Sequence, residues 1–274
     1  MFEPLVITVA LVGAEVSKEK NPNLPITCKE IARQAIECYN LGATIAHIHV
    51  REEDGTPSSK VEYFQEVKEL IEKEVPMIIQ FTTGGAVGMT EEERMEPLKL
   101  KPHMATLNLG SMNFGDEVFL NTKSYIEKLA LKMKELGIKP ELEVYDLGML
   151  EMVEYLVRNG YVDEPVHVDF VLGVKWGAPA NIETLIFMVN DLRRRGIKFT
   201  WSAAAIGKHQ LAINVASILL GGFVRTGLED NIYYKKGVLA TNQELVKRIV
   251  NLSNELGRPI ATIEQAKLIL GIRR

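Results

Sequence analysis

Hydrophobic and polar positions along this chain follow two alternating patterns. Eight short runs rich in Val, Ile and Leu predict β-strands, and amphipathic stretches such as "CKEIARQAIECYNLG" predict helices between them. The predicted strands span 5–15, 43–51, 77–85, 104–113, 141–148, 166–174, 198–206 and 222–230. Several are apolar throughout, which is typical of strands covered on both faces.

The helix boundaries carry local signals. Threonine followed three residues later by glutamate predicts capping boxes at Thr27–Glu30, Thr90–Glu93 and Thr241–Glu244. Glycines predict the ends of other helices, at Gly42, Gly137 and Gly196. A last helix, "TIEQAKLILG", follows the eighth strand–helix unit and is placed to pack against a neighbouring subunit.

Eight strand–helix units without a break in composition predict an α/β fold, the (β/α)8 TIM barrel. We expect residues 1–274 to form a single (β/α)8 barrel domain with a C-terminal extra helix. A doubly wound open sheet is the alternative, but such sheets typically have about five to seven strands.

Composition and charge limit the binding partners and the cellular location that we expect for the protein. The formal net charge is -4, so no overall positive field attracts nucleic acid or an anionic membrane. The start, "MFEPLVITVALVGAE", lacks the basic region of a signal peptide, and no apolar run approaches the roughly 20 residues that span a bilayer. Cys28 and Cys38 lie in one predicted helix and should not face each other, so they are not expected to form a disulfide. We therefore expect a reducing, cytoplasmic setting.

Polar residues collect at the carboxyl ends of the predicted strands, whereas the strand starts are mostly apolar. Barrel enzymes place their chemistry at the carboxyl ends of the strands. The sequence therefore predicts an active site built from Glu15, His47, His49, Arg51, Thr82, Thr83, Gly84, Gly85, Asn108, Ser111, Asn113, Glu143, Asp146, Arg225, Glu229 and Asp230.

His47 and His49 are two apart in the second strand and therefore point to the same face. Two imidazoles in this arrangement can chelate zinc or a similar divalent ion, which needs about three protein ligands. The third ligand could come from Glu15, Glu229 or Asp230, since strands one and eight adjoin strand two in a closed barrel. The alternative is that both histidines pack in a polar barrel mouth without a metal, but the acidic strand ends opposite them favour the metal.

Other motifs leave alternatives open. Gly207 and Lys208 stand where the seventh strand turns into its helix, a place where barrels often bind phosphate through free N–H groups; a plain turn with a solvated lysine is the alternative. The "TTGG" segment ending at Gly85 predicts an anion-binding nest or a tight turn. His103 and His167 lie near strand starts and favour structural roles, whereas His209 is undecided.

Six motifs occur in order over nearly the whole chain: "HIHVREEDGTPS", "FTTGG", "ATLNLGSMNF", "GVKWGAPA", "WSAAAIGKHQ" and "VRTGLEDN". In these motifs the chain resembles the β-keto acid cleavage enzymes. Members of that family are zinc-dependent barrels, usually homotetramers, which join a β-keto acid to acetyl-CoA and release acetoacetate and a new acyl-CoA. The resemblance implies Zn2+, acetyl-CoA as co-substrate, and a substrate such as 3-keto-5-aminohexanoate from lysine fermentation.

The resemblance also implies roles for individual residues. His47, His49 and Glu229 would bind zinc, and Arg225 with Asp230 would handle the substrate proton. Further substrate-binding and catalytic roles fall on Glu15 at the variable end of the substrate, on Thr83 and Asn108 near the new oxyanion, and on Gly85 and Glu143. Apart from the resemblance, Gly207 and Lys208 are expected to bind CoA, because they open the helix after strand seven, where barrels favour phosphate. Thr83 stands where the amino-substrate member has serine, and Asn108 where threonine or another polar residue occurs. These two departures leave the identity of the keto acid open, but they do not change the expected type of reaction.

Two other functions are compatible with parts of the pattern. Amidohydrolase-like barrel hydrolases also begin with H-x-H on a strand, but they need further histidines at later strand ends. A non-catalytic acyl-CoA-binding barrel is the other alternative, and it would contain no stoichiometric zinc.

Overall fold

The computed structural model describes residues 3–273, in which eight parallel strands form a closed barrel. Around the barrel the strands follow the order of the chain, and the last barrel strand pairs with the first to close the circle. The barrel strands are β1 (Ile7–Ala10), β2 (Ile45–Ile48), β5 (Ile78–Phe81), β6 (Met104–Asn108), β9 (Lys139–Val144), β10 (Val166–Leu172), β11 (Phe199–Ala205) and β12 (Phe223–Thr226). The predicted (β/α)8 barrel is confirmed.

Helices surround the barrel. They are α1 (Cys28–Leu41), α2 (Val61–Glu72), α3 (Glu91–Met95), α4 (Lys123–Leu136), α5 (Met149–Arg158), α6 (Ile182–Arg194), α7 (Gln210–Leu220), α8 (Asn242–Glu255) and α9 (Ile263–Leu270), with 3-10 turns at Glu96–Leu100 and Gly207–His209. Capping boxes begin α1, α3 and α8 as predicted, and Gly42 and Gly137 adopt the left-handed conformation that ends α1 and α4. Gly196 lies just beyond the end of α6.

Several barrel strands are shorter than predicted, and after β2, β6 and β12 the chain enters hairpins. These hairpins are β3 (Val50–Arg51) with β4 (Pro57–Ser58), β7 (Met112–Phe114) with β8 (Glu117–Phe119), and β13 (Tyr233–Lys235) with β14 (Val238–Leu239). Apolar and small residues continue past each barrel strand, so the sequence pattern does not mark where the barrel pairing stops. Residues of the second and third hairpins, among them Phe114, Phe119 and Tyr233, lie at the mouth of the barrel.

The inside of the barrel differs from the prediction of mostly apolar strand starts. On β9, β10 and β11 the inward positions hold Glu141, His167, Asp169 and Ser202, all at most 1% exposed. The prediction is wrong here because these polar groups contact one another instead of water. Ser202 donates a hydrogen bond of 2.6 Å to Asp169, and Nε2 of His167 lies 3.3 Å from Oε2 of Glu141.

The predicted extra helix and the two cysteines both lie outside the barrel strands. The predicted extra helix is α9, which buries Ile263, Ala266 and Leu270 and leaves Leu268 83% exposed. Cys28 and Cys38 both lie in α1 as free thiols. Within residues 3–273, no helix has the length and apolar character needed to cross a membrane.

Candidate active site

The carboxyl ends of the barrel strands surround a cavity of about 600 Å³. Most of the predicted site residues line this cavity, namely Glu15, His47, His49, Thr82, Gly84, Gly85, Asn108, Glu143, Gly207, Arg225, Glu229 and Asp230. The predicted residues outside the lining are Arg51, Thr83, Ser111, Asn113, Asp146 and Lys208. The fold therefore brings residues from the beginning, middle and end of the chain to one place.

Three of these side chains form a compact group suited to a metal ion. His47 lies in β2, His49 follows its last residue, and Glu229 lies in the turn after β12. The Nε2 atoms of both histidines lie 3.6 Å from Oε1 of Glu229. Two ligands about 2.1 Å from a tetrahedral zinc ion would lie roughly 3.4 Å apart, so the observed spacing fits zinc.

The surroundings of this group support metal binding. Nδ1 of His47 lies 2.8 Å from Oε1 of Gln80, an acceptor, so Nδ1 carries the hydrogen and Nε2 keeps its lone pair. Oε2 of Glu229 is buried and has no hydrogen-bond partner in the described part of the chain. A buried carboxylate oxygen without a donor is costly, and a cation would remove that cost. We conclude that the residues present fit Zn2+.

Charges in the site keep the donor atoms in the forms that a metal needs. Burial lowers the pKa of His49 to about 3, against the opposite effect of Glu229. Burial is the largest influence on the pKa of His47 and lowers it, but the charges of Glu229 and Glu143 together make the net direction upward. Burial raises the pKa of Glu229, but Arg225 and the two histidines outweigh it and hold that pKa below its usual range. A neutral imidazole at His49 and an anionic carboxylate result, as metal ligation requires.

Two glycines allow Glu229 to reach the histidines. Gly227 has a φ of 142°, and a Cβ atom there would overlap the carbonyl group of Ala10 in β1. At Gly13 a Cβ atom would lie 2.6 Å from Cγ of Glu229. The N–H of Glu229 donates to the carbonyl of Ala10 at 3.2 Å, which attaches the turn after β12 to β1, the neighbour of β2.

Arg225 and Asp230 form a buried pair beside the metal-binding group. Nε and Nη2 of Arg225 donate to the two carboxylate oxygens of Asp230, each at 3.0 Å, in a bidentate arrangement. Nη2 also donates to Glu229 at 2.6 Å, and Nη1 donates to Glu143 at 3.0 Å. Burial raises the pKa of Asp230 above its ordinary value although Arg225 opposes this. A fixed carboxylate with a raised pKa is suited to accept a proton.

Asn108 and Glu143 complete this side of the cavity and are Cα partners on β6 and β9. The amide of Asn108 is buried, and neither its oxygen nor its nitrogen has a hydrogen-bond partner among residues 3–273. An unpaired buried amide that faces a cavity indicates a polar ligand, since leaving it unpaired costs free energy. Burial raises the pKa of Glu143 to about 7, so this carboxyl can gain or lose a proton near neutral pH.

The structure corrects the position of Thr83. Its hydroxyl donates to the backbone carbonyl of Thr106 at 2.6 Å, and its side chain is fully buried outside the cavity. Thr82 lines the cavity instead, and its oxygen accepts the N–H of Gly84 at 3.0 Å, which leaves its hydrogen free for a ligand. Strand parity could have identified it: Gln80 points inward from an otherwise apolar strand, and residue 82 shares that direction.

The structure also changes the expectation for Gly207. Its N–H is not free, because it donates to the backbone carbonyl of Asp230 at 2.8 Å. Lys208 is exposed in the 3-10 turn that follows β11.

Glu15 is exposed at the rim of the cavity, five residues beyond the end of β1 instead of at the strand end. Two lysines that the sequence did not single out, Lys20 and Lys175, also line the cavity.

The remaining histidines lie elsewhere. Nδ1 of His103 accepts the N–H of Ile79 near the amino ends of the strands. His167 is buried deep in the barrel beside Glu141, and His209 is exposed. Within residues 3–273, the cavity lining contains no histidine besides His47 and His49. The site therefore lacks the later histidines expected of an amidohydrolase-like barrel.

Fold and site together place the protein among the barrel enzymes that act at the carboxyl ends of their strands. More specifically, the chain belongs to the beta-keto acid cleavage enzyme family, which it matches over residues 4–272. The family that the sequence motifs indicated is thus confirmed.

Similar proteins include a 3-keto-5-aminohexanoate cleavage enzyme of Fusobacterium nucleatum, 47% identical over 277 residues and covering 100% of both chains. A 3-oxoadipate:acetyl-CoA acetyltransferase of Cupriavidus necator is 42% identical and covers 99% of this chain and 96% of its own. A solved binary complex of ObcA with oxaloacetate has a TM-score of 0.82 at 19% identity, covering 92% of this chain and 68% of that one. This last likeness shows the shared fold alone.

Proposed function

We propose that the protein is a zinc-dependent enzyme that condenses a β-keto acid with acetyl-CoA and yields acetoacetate and a new acyl-CoA. The observation that carries this proposal is the position of the His47–His49–Glu229 group beside the buried Arg225–Asp230 pair in one cavity. The proposed substrate is an amino-substituted keto acid such as 3-keto-5-aminohexanoate, the compound in the name of the Fusobacterium relative.

Each step of the first half of the proposed reaction can be assigned to particular residues of the cavity. A zinc ion held by His47, His49 and Glu229 would polarise the ketone of the keto acid. Asp230, oriented by Arg225, accepts the proton from the carbon between the ketone and the carboxylate. That carbon attacks the acetyl thioester, and Asn108 and Thr82 can donate hydrogen bonds to the oxygen that becomes negative.

The second half of the reaction needs no protein nucleophile. The released CoA thiolate attacks the original ketone carbon, and the bond between that carbon and the acetylated carbon breaks. Acetoacetate leaves as a carbanion that regains the proton from Asp230, which returns the carboxylate to its starting form. Cys28 and Cys38 take no part, because both lie in α1 on the outside of the barrel.

Glu15 supports an amino-substituted substrate. Its carboxylate is exposed at the rim of the cavity, where it can pair with an ammonium group at the far end of a keto acid. The test is an assay of acetoacetate and CoA-ester formation from acetyl-CoA and a panel of β-keto acids with cationic, neutral and anionic ends. Turnover of the cationic member alone supports the proposal, whereas turnover limited to an anionic member such as 3-oxoadipate would overturn the substrate assignment.

Thr82→Val is expected to lower kcat/KM for the keto acid about ten-fold, because it removes a hydroxyl donor from the cavity while keeping the side-chain shape. Thr83→Val is the matched control. It loses only the bond to Thr106 and should reduce the free energy of unfolding by about 1 kcal/mol with kcat/KM nearly unchanged. Steady-state kinetics and urea titration of both variants show whether Thr82 or Thr83 is the hydroxyl donor that acts on the substrate. The opposite pattern would return the catalytic role to Thr83.

Lys208→Ala is expected to raise the KM for acetyl-CoA several-fold and to leave the KM for the keto acid unchanged. An exposed ammonium group near the cavity mouth attracts the phosphates of CoA by roughly 1 kcal/mol, and salt weakens the attraction. Turnover at saturating acetyl-CoA should change little. Lys73→Ala, at the far end of α2, is the control. Equal KM values in both variants at low salt would show that Lys208 does not contact CoA.

We further propose that residues 1–274 form one domain that assembles as a homotetramer in the cytoplasm. Large apolar side chains remain exposed on several helices, among them Phe187 on α6, Leu211 and Leu219 on α7, and Leu268 on α9. Such exposure favours contacts between subunits. Light scattering of the purified protein measures the assembly directly.

A further inference from the structure

Beneath the cavity, the barrel interior contains a layer of acidic and hydroxyl side chains that the proposed reaction does not use. Barrel interiors are usually filled by branched apolar residues. Here Glu141 pairs in register with His167, and one row higher Asp169 pairs with Glu143 and Ser202. Of these residues only Glu143 reaches the cavity.

This layer holds more acidic groups than its cations can balance. Glu141, Glu143 and Asp169 each offer a carboxylate oxygen, and the three oxygens lie within 4.8 Å of one another. Arg225 contacts Glu143 at 3.0 Å and approaches Asp169 at 3.9 Å, but it also holds Asp230 and Glu229. Buried carboxylates this close cannot all be ionised, so at least one of them keeps its proton.

The contacts of each carboxyl indicate which one is protonated. Glu141 lies 3.3 Å from His167, which lowers its pKa against the opposing effect of burial. Asp169 is 0% exposed, its Oδ1 accepts the Ser202 hydroxyl, and its Oδ2 has no hydrogen-bond partner among the described residues. Burial and then the nearby Glu141 raise the pKa of Asp169 well above its usual range. The titratable groups that face Asp169 are Glu141, Glu143, Tyr145, His167 and Arg225.

We propose that Asp169, as an uncharged carboxylic acid hydrogen-bonded to Ser202, is a positioning residue that keeps the Arg225 guanidinium directed at Asp230. This inference rests on the proposed role of the Arg225–Asp230 pair. The geometry explains the effect: Nη1 of Arg225 is 3.9 Å from Oδ2 of Asp169, beyond hydrogen-bonding distance, while Nε and Nη2 hold Asp230 at 3.0 Å. An ionised Asp169 would attract the guanidinium downward and weaken its hold on Asp230.

Infrared difference spectroscopy of the zinc-loaded protein at neutral pH tests the proton on Asp169 without reference to activity. We expect a carbonyl band of a buried carboxylic acid that disappears in Asp169→Asn and persists in Glu143→Gln. In Ser202→Ala the band should shift to higher frequency, because the carbonyl oxygen loses its donor. If Asp169→Asn removes no carboxylic acid band, the proposal is overturned, whatever the enzyme's substrate proves to be.

Kinetics test the positioning role separately. Asp169→Leu should lower kcat about ten-fold or more with little change in either KM or in zinc content, because leucine cannot accept the Ser202 hydroxyl and disturbs the packing beneath the Arg225 guanidinium. Asp169→Asn, which resembles the protonated acid, should recover most of that loss. If Asp169→Asn is as impaired as Asp169→Leu, the charged form is the one required and the proposal fails. A second equivalent of divalent metal, lost in Asp169→Asn, would also overturn it in favour of a cation site.

Discussion

We expect the purified protein to contain one zinc ion per chain, and we expect His47→Ala to contain fewer than about 0.1 ions per chain. His47 supplies one of three ligand atoms, and the remaining pair, His49 and Glu229, leaves an ion with too few protein ligands to be retained through purification. Metal analysis of the purified variant gives the number of ions per chain. Activity should be lost together with the metal.

The fold of His47→Ala should survive, since the apolar packing between barrel and helices lies outside the site. Its thermal midpoint is expected to match that of chelator-treated wild type, because both lack the stabilisation that bound metal gives to the native state. His209→Ala, which removes an exposed histidine, is the matched control and should keep its zinc. Full occupancy in His47→Ala would exclude this residue as a ligand.

The sequence predicts the barrel well because its signals are local. Strand periodicity, the capping box at Thr27 and Glu30, and the left-handed Gly42 each depend on a few neighbouring residues, and all appear in the structure. Strand length is less well predicted. β2 ends at Ile48 because the next residues form a hairpin, and that choice depends on pairing with Pro57 and Ser58 further along the chain.

The site residues also divide into those that nearby sequence predicts and those that depend on the folded barrel. The spacing of His47 and His49 predicts a shared direction, and the closed barrel brings Glu229 to them through the turn held at Ala10. By contrast, the choice between Thr82 and Thr83 depends on which side of β5 faces inward. A polar Gln80 in an apolar strand was the available signal, and it favours Thr82.

The buried acidic layer could not be predicted from single strands. An isolated glutamate such as Glu141 in a strand normally indicates a solvent-facing position. It is buried here because the adjacent strand places His167 in register with it and the next strand places Thr200 beside His167. Such pairing is a property of three strands together, and only the assembled barrel shows it.

Asp230→Asn is expected to retain zinc and to lose turnover by about 100-fold or more, the usual scale for removal of a general base. The amide keeps the shape of the carboxylate beside Arg225 but cannot accept a proton from the substrate. Exchange of the α-hydrogen of the keto acid for deuterium, followed by NMR, measures proton removal apart from the steps that involve CoA. This exchange should fall by the same factor as turnover.

The matched control for this prediction is Asp146→Asn, which changes an acid just beyond the end of β9 that is not among the residues lining the cavity. Its oxygen accepts the N–H of Gly148, a contact that asparagine can also make, so both turnover and exchange should be unchanged. If Asp230→Asn instead exchanged deuterium at the wild-type rate, the base would have to be another carboxyl. Glu143 would then be the candidate, because it lines the same cavity and burial raises its pKa to about 7. In that case Glu143→Gln, with Arg225 still paired to Asp230, should abolish the exchange.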